Sequence, residues 1–410
     1  MATVTSEPTH PHRSGSGTGT HLSVVLPCAT TAVASNHYFR SIDGLRILAA
    51  VNIVLFHLAQ VGGLHAMGGR PGWFFTIVRG PMFHATLFFI LAGFIYTIKY
   101  AAYADRFNTR RFFISRLKAL YPLHVLTTLS MVPFILMNTA PIPWGRLFLS
   151  LFMHLGLLWS LYPIGTFDLN TPSWALSAFF FCYLLFGPAL KLVVRCERRR
   201  SVFAALILCM LPTLLWIALY AQTGFSQPLH RFFHVFAPVR FFEFVLGMLL
   251  ARLYQVSTHK TGETGILNRG WVNDLAIVVT FILLFVNLSV RSPGSPWMHW
   301  ITYRVTVLGL FAFLLYRFAR GHGLFPAFTA IPVVRLWGQC SFYPYLLHIP
   351  LSSWLCYALG EWFGYRTFLH HPLTIALFIV ALYGISAWYW HHRGRARRRA
   401  HVMAGARGSG

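Results

Sequence analysis

The stretch SIDGLRILAAVNIVLFH, Ser41 to His57, decides how the chain is read. It is apolar enough to sit in lipid, yet it contains Asp43, Arg46 and His57. Ten residues separate Arg46 from His57. A helix turning about 100° per residue brings the two side chains back to within roughly 20° of one face, about 16 Å apart along the axis. Continued to Val61, the run reaches the length of about 20 residues needed to cross a hydrocarbon core. Charge inside such a span is costly and usually functional.

Outward from that stretch the pattern repeats. Of 410 residues, 56% are hydrophobic and 10% charged, with a mean hydropathy of +0.58. Soluble domains carry about 25% charged residues, so the composition is that of a membrane protein. Apolar segments fall at 42–61, 82–101, 119–139, 145–163, 174–194, 201–221, 232–252, 275–290, 301–319, 338–359 and 372–390. The expected fold is an all-α polytopic bundle. The net charge of +25 raises nucleic acid as a partner. The basic residues, however, lie in short clusters between apolar runs rather than along one stripe, which fits cytoplasmic loops under the positive-inside bias.

Those clusters are Arg106 to Lys118, Lys191 to Arg200, Arg252 to Arg269, Arg317 with Arg320, and Arg393 to Arg399. Three apolar segments separate the first two clusters, but returning to one side takes an even number of crossings. The segment 145–163, bracketed by Pro141, Pro143 and Pro163, is the one expected to be re-entrant or interfacial. About ten spans remain, with both termini cytoplasmic. Residues 1–37, rich in Ser, Thr, Pro and His, read as a disordered tail, 38–392 as the membrane domain and 393–410 as a basic tail. The six cysteines form no CxxC pair, which argues against a disulfide or zinc framework.

An always-charged guanidinium at the cytoplasmic mouth of the first span suits a phosphate-bearing ligand. A histidine deeper in the same face suits proton abstraction from a hydroxyl. Equally, Arg46 can snorkel to the headgroups and His57 can be a packed, hydrogen-bonded residue. Asp43 is placed to position Arg46. Arg240 and Glu243 stand at i, i+3, the spacing of a structural ion pair as much as of a catalytic one. Ser341, Tyr343, Tyr345 and His348 open a late span and fit either a cavity lining or internal hydrogen bonding. His84, His124 and His154 read as structural, and no metal site is expected because no acidic or cysteine ligands cluster with the histidines.

Six motifs occur in order: Ser41 to His57, FFILAGF (88–94), RRFFISRLKALYPLH (110–124), TPSWALSAFFFCYLLFGP (171–188), RFFEFVLGMLLA (240–251) and GQCSFYPYLLHIPL (338–351). Together they resemble the acyltransferase 3 family of membrane O-acyltransferases over nearly the whole chain. The resemblance implies a ten-span enzyme that moves an acyl group, typically acetyl from acetyl-CoA, onto a hydroxyl of a glycan such as exopolysaccharide or its lipid-linked precursor. By position, His57 matches the proposed catalytic histidine and Arg46 the essential arginine. Arg110, Arg111 and Arg116 match a basic loop that meets the CoA phosphates. The chain departs from the family pattern at Ala92, where serine is frequent, and at Phe179, where a glutamate usually follows the Trp174 position.

The resulting expectation is an O-acetyltransferase of a bacterial inner membrane, with acyl-CoA as substrate and no bound cofactor. Its donor would lie on Arg46, Arg110, Arg111 and Arg116. His57 would act as base or as acyl carrier, with Glu243 orienting it. Trp174, Ser177, Tyr345 and His348 are the candidate substrate contacts. A macrolide or other small glycoside is an alternative acceptor. A proton-coupled transporter using His57 and Glu243 as a relay, and a non-catalytic member of the family, are the alternative functions; no internal repeat supports the transporter. Nucleic acid is not expected as a partner.

Overall fold

The computed structural model describes residues 29–61, 84–138, 143–162, 169–224, 226–258, 269–289, 296–363 and 371–406, with the single positions 141 and 369. Of the expected N-terminal tail, residues 1–28 lie outside this set. The described chain is helical: α1 Ala29–Val61, α2 His84–Tyr100 running into a 3₁₀ turn Ala101–Arg106, α3 Thr109–Asn138, α4 Trp144–Leu155, α5 Ser173–Val194, α6 Arg199–Gln222, α7 Gln227–Val235, α8 Ala237–Thr258, α9 Gly270–Ser289, α10 Pro296–Arg320, α11 Leu324–Thr329, α12 Pro332–Cys340, α13 Phe342–Phe363 and α14 Pro372–Ala406.

Among the described residues, eight helices are long and apolar enough to cross a membrane. They fall in α1, α2, α3, α5, α6, α8, α9 and α14. At 25 and 22 residues, α10 and α13 are of spanning length as well. The protein is therefore an all-α polytopic membrane protein. Helix α4 is different in kind. Its 12 residues reach only about 18 Å, short of the roughly 30 Å core. Leu147, Ser150, Met153 and His154 are buried on one face of it, while Trp144, Phe148 and Phe152 are exposed on the other. The segment that proline bracketing and crossing parity single out is thus the one too short to span.

Two boundaries differ from expectation for local reasons. Helix α3 starts ten residues early because Asn108 caps it: the Arg111 N–H donates to Asn108 Oδ1 at 2.8 Å, satisfying one of the free amides of the first turn. Arg110, Arg111 and Arg116 therefore stand on helix, not on a loop. The segment expected at 232–252 is broken at Phe236 into α7 and α8.

Prolines inside α3 (Pro122, Pro133), α5 (Pro188), α6 (Pro212) and α13 (Pro350) do not break these helices. In lipid, neighbouring helices and hydroxyl side chains take up the freed carbonyls. The bundle is organised on two helices: α8 packs on α2, α5 and α6, and α1 on α2, α10, α11, α12 and α13. One close crossing is α2 on α8. A Cβ at Gly93 would overlap the Phe244 carbonyl, and one at Gly247 would overlap that of Ile90. Close backbone approach at small residues is how helices pack where lipid supplies no hydrophobic drive. It also explains the glycine in both LAGF and VLGM.

Candidate active site

Packing of α1 on α13 brings His57 against His348. Their rings lie 5.0 Å apart by centroid, and His348 Nε2 is 3.1 Å from His57 Nδ1. His348 is fully buried and His57 half-buried. Backbone carbonyls fix the protons on this pair. His348 Nδ1 lies 3.1 Å from the Pro344 carbonyl and His57 Nδ1 lies 3.0 Å from the Ile53 carbonyl. A carbonyl only accepts, so both Nδ1 atoms carry hydrogen. Neutral His348 then presents the lone pair of Nε2, and His57 Nδ1–H donates to it while also reaching Ile53. The consequence is that His57 Nε2 is the lone-pair nitrogen, the form a general base or nucleophile needs.

Ring contacts lead from this pair into a cavity. Tyr345 is 6.2 Å from His348 and Phe88 is 6.0 Å from Tyr345. The Tyr345 hydroxyl donates to the Pro172 carbonyl at 2.9 Å, and Asn170 Nδ2 donates to the Leu346 carbonyl at 3.1 Å, so the entry to α5 is pinned to α13. Phe88 and Tyr345 both line a cavity of about 210 Å³. Arg46 and Arg116 line it too.

Arg46 is held there by Asp43, whose Oδ1 lies 3.4 Å from Arg46 Nη1 while Oδ2 accepts from Gln339 Nε2 at 2.9 Å. Arg116 is folded inward, its guanidinium 5.1 Å from the Tyr96 ring and 5.2 Å from that of Phe112. Buried Arg116 Nε has no hydrogen-bond partner among the described residues. Arg110 and Arg111 are exposed at the start of α3 and do not line the cavity.

The partner of His57 is not the one the sequence reading expected. Glu243 is buried in an ion cluster, with Arg240 Nη1 at 2.6 Å and Arg304 Nη2 at 3.2 Å from its Oε1. Arg240 also donates to Thr86 Oγ1 at 3.2 Å and, from Nε, to the His234 carbonyl at 2.8 Å. Its guanidinium stands 5.4 Å from the Trp174 ring. The cluster ties α2, α5, α7, α8 and α10 together, and nothing in it is directed at the histidine pair. Arg304 was not foreseen, although an arginine in an apolar run is itself a signal.

Ser177 is likewise engaged in the fold. Its hydroxyl donates to the Leu157 carbonyl at 2.5 Å and accepts from the Ser160 N–H at 3.2 Å. This fastens the turn after α4, where Leu157 takes a left-handed φ of 57°. Of the four candidate substrate contacts, Tyr345 alone lines the cavity, and His348 reaches it through Tyr345. Both residues that depart from the family pattern, Ala92 and Phe179, are in the cavity wall.

An acyltransferase-domain family model matches residues 39–391. Acyltransferase MdmB of Streptomyces mycarofaciens is 27% identical over 356 residues, 83% of this chain and 87% of that protein. No solved structure matches the chain.

Proposed function

The chain belongs to the acyltransferase-domain family and is a membrane acyltransferase; on that footing we propose that it moves a short acyl group, acetyl foremost, from acyl-CoA to a hydroxyl of a glycan such as an exopolysaccharide or its lipid-linked precursor. The observation that carries the reading is the histidine pair, which leaves His57 Nε2 as a lone-pair nitrogen and is joined through Tyr345 to a cavity with two arginines in its wall.

In the proposed reaction, His57 Nε2 takes the acceptor hydroxyl's proton as that oxygen attacks the thioester carbonyl. The C–S bond then breaks, and the departing CoA thiolate recovers the proton from His57. His348 acts on His57 rather than on substrate. Its Nε2 lone pair faces His57 Nδ1–H, which holds the tautomer and steadies the imidazolium that forms, the role a carboxylate plays in hydrolytic triads. The same geometry permits a second order of events, in which His57 Nε2 itself attacks the thioester, CoA leaves, and the acyl-imidazole then meets the acceptor.

Arg46 and Arg116 are the inner cationic contacts for the donor, with Arg110 and Arg111 the outer ones. The basic clusters support a ten-span domain over 38–392 in a bacterial inner membrane, with both termini cytoplasmic. In that topology the arginines face the compartment that holds acyl-CoA.

The test is to incubate membranes containing the protein with labelled acetyl-CoA and one of three acceptors: lipid-linked oligosaccharide, polymer or a small glycoside. Label should reach the glycan and vanish with His57→Ala. Transfer that survives His57→Ala sinks the mechanism, and exclusive labelling of the small glycoside replaces the acceptor class.

A further inference from the structure

The cavity wall is graded. On α2 it is formed by Ala85, Phe88, Leu91, Ala92 and Tyr96, on α5 by Ala175, Phe179 and Tyr183. The spacings are i, i+3, i+6, i+7, i+11 and i, i+4, i+8, so each set is one face of its helix. Roughly 16 Å of α2 and 12 Å of α5 are covered, which makes the space a slot. Both faces start from alanine, pass phenylalanine and end in tyrosine, with Leu91 and Ala92 between the last two on α2.

The ends can be assigned. Tyr96 stands under the Arg116 guanidinium, so the tyrosine end is the cationic end. Phe88 contacts Tyr345, and Tyr345 contacts His348, which contacts His57. The alanine end, one turn beyond Phe88, therefore lies toward the histidines. Ala85 and Ala175 are both buried. Phe179 is fixed in place by stacking on Phe89 at 4.3 Å.

We propose that the alanine end of this slot, set by Ala85 and Ala175 and narrowed by Phe179, is a ruler for the donor's acyl chain, admitting groups of two to about four carbons and excluding longer ones. The inference rests on the donor being an acyl-CoA. A polar head goes to the arginines and tyrosines, and the thioester goes to the histidines. The acyl group is then left among side chains that offer no hydrogen bond. The total of about 210 Å³ has room for about seven water-sized units, some of which the sulphur end of the donor arm must take. A long fatty chain does not fit beside it.

The experiment is competition of labelled acetyl-CoA by free CoA and by acetyl-, propionyl-, butyryl-, hexanoyl- and octanoyl-CoA on the purified, detergent-solubilised protein. Each added methylene is expected to tighten binding by about fourfold up to butyryl. Affinity should then drop at least tenfold by octanoyl. Ala175→Leu should weaken butyryl-CoA tenfold or more while changing free CoA by less than twofold. Phe179→Ala should move the optimum the other way, toward hexanoyl. The opposite shifts separate a ruler from damage to the fold, which would weaken all ligands together. A flat chain-length profile, or one that neither substitution moves, overturns the ruler and leaves the acyltransferase reading standing. Failure of every acyl-CoA to bind the unaltered protein overturns the donor reading and the ruler with it.

Discussion

Two polar clusters are built into this apolar bundle, and their hydrogen-bonding groups are disposed in different ways. Around Glu243, two guanidiniums converge on one carboxylate oxygen, and Arg240 is bonded besides to Thr86 and His234. That cluster joins five helices, and none of its residues lines the cavity that holds Arg46 and Arg116. Around His57, a chain of backbone carbonyl, histidine and histidine ends on one ring nitrogen with a lone pair, and Tyr345 joins the pair to a cavity. Glu243 Oε2 is buried with no hydrogen-bond partner among the described residues, but its carboxylate is already matched by two guanidiniums, whereas His57 Nε2 is an uncharged lone pair. A buried charge is no guide to chemistry by itself; a carboxylate held by two cations is a brace, and a neutral lone-pair nitrogen can take a proton. The difference can be tested by removing one member of each cluster and asking whether stability or turnover falls.

The largest effect is expected at His57. His57→Ala should reduce acyl transfer by roughly 10⁴-fold, about 5 kcal/mol of barrier, the upper end of what a general base supplies. Unfolding of the solubilised protein should shift by only about 1–3 kcal/mol, since buried His348 stays bonded to Pro344 while its Nε2 loses the His57 donor. Glu243→Ala should do the reverse. Removing one partner of a buried ion cluster costs about 3–5 kcal/mol, because Arg240 and Arg304 are left facing each other. Loss of folded protein, read by thermal unfolding in detergent, should therefore precede any specific loss of rate. A stable Glu243→Ala protein with abolished turnover would reverse the two assignments.

How much of this was legible in the sequence depends on the range of the signal. The shared face of Arg46 and His57 is a local periodicity, and the non-spanning α4 follows from prolines and crossing parity. Both are fixed within a few turns of chain. The Asp43 contact with Arg46 is likewise an i, i+3 pair. The partner of His57 is 291 residues away, and no periodicity encodes which helix α1 will meet. Glu243 looked available for that role because its sequence neighbour Arg240 accounts for only part of its surroundings; Arg304, 61 residues on, adds a second cation. The cap at Asn108 was a readable signal, and it moves Arg116 from a loop onto a helix where it can fold over Tyr96.

His348 sharpens the contrast at a smaller scale. His348→Ala removes the acceptor that fixes the His57 tautomer but leaves the base itself. A drop of about 10²-fold in kcat is expected, the order seen when a reacting group is misplaced by about an ångström. KM for the donor should stay within twofold, since the arginines at the far end are untouched. His348→Gln retains a carbonyl oxygen that can accept from His57 Nδ1–H and should recover part of the rate. Equal losses in the alanine and glutamine proteins would mean that His348 fills space and holds no proton in place.

The smallest effect is expected at Ser177, which the motif pattern offered as a substrate contact and the geometry makes a fastener. In Ser177→Ala the Leu157 carbonyl loses its donor and the Ser160 N–H its acceptor, both in a buried turn. One such unsatisfied group costs about 1–3 kcal/mol, and partial relaxation of the turn should hold the total near 2 kcal/mol. The strain at Leu157, held at a φ rare for a residue with a side chain, gives the turn a ready way to relax. The expected signature is a lower unfolding temperature with unchanged KM for donor and acceptor. A raised acceptor KM in a protein of unaltered stability would return Ser177 to the site. It would also show that a hydroxyl fully engaged in the resting fold can exchange its partners when substrate arrives, which is the one way the closed clusters of this bundle could open.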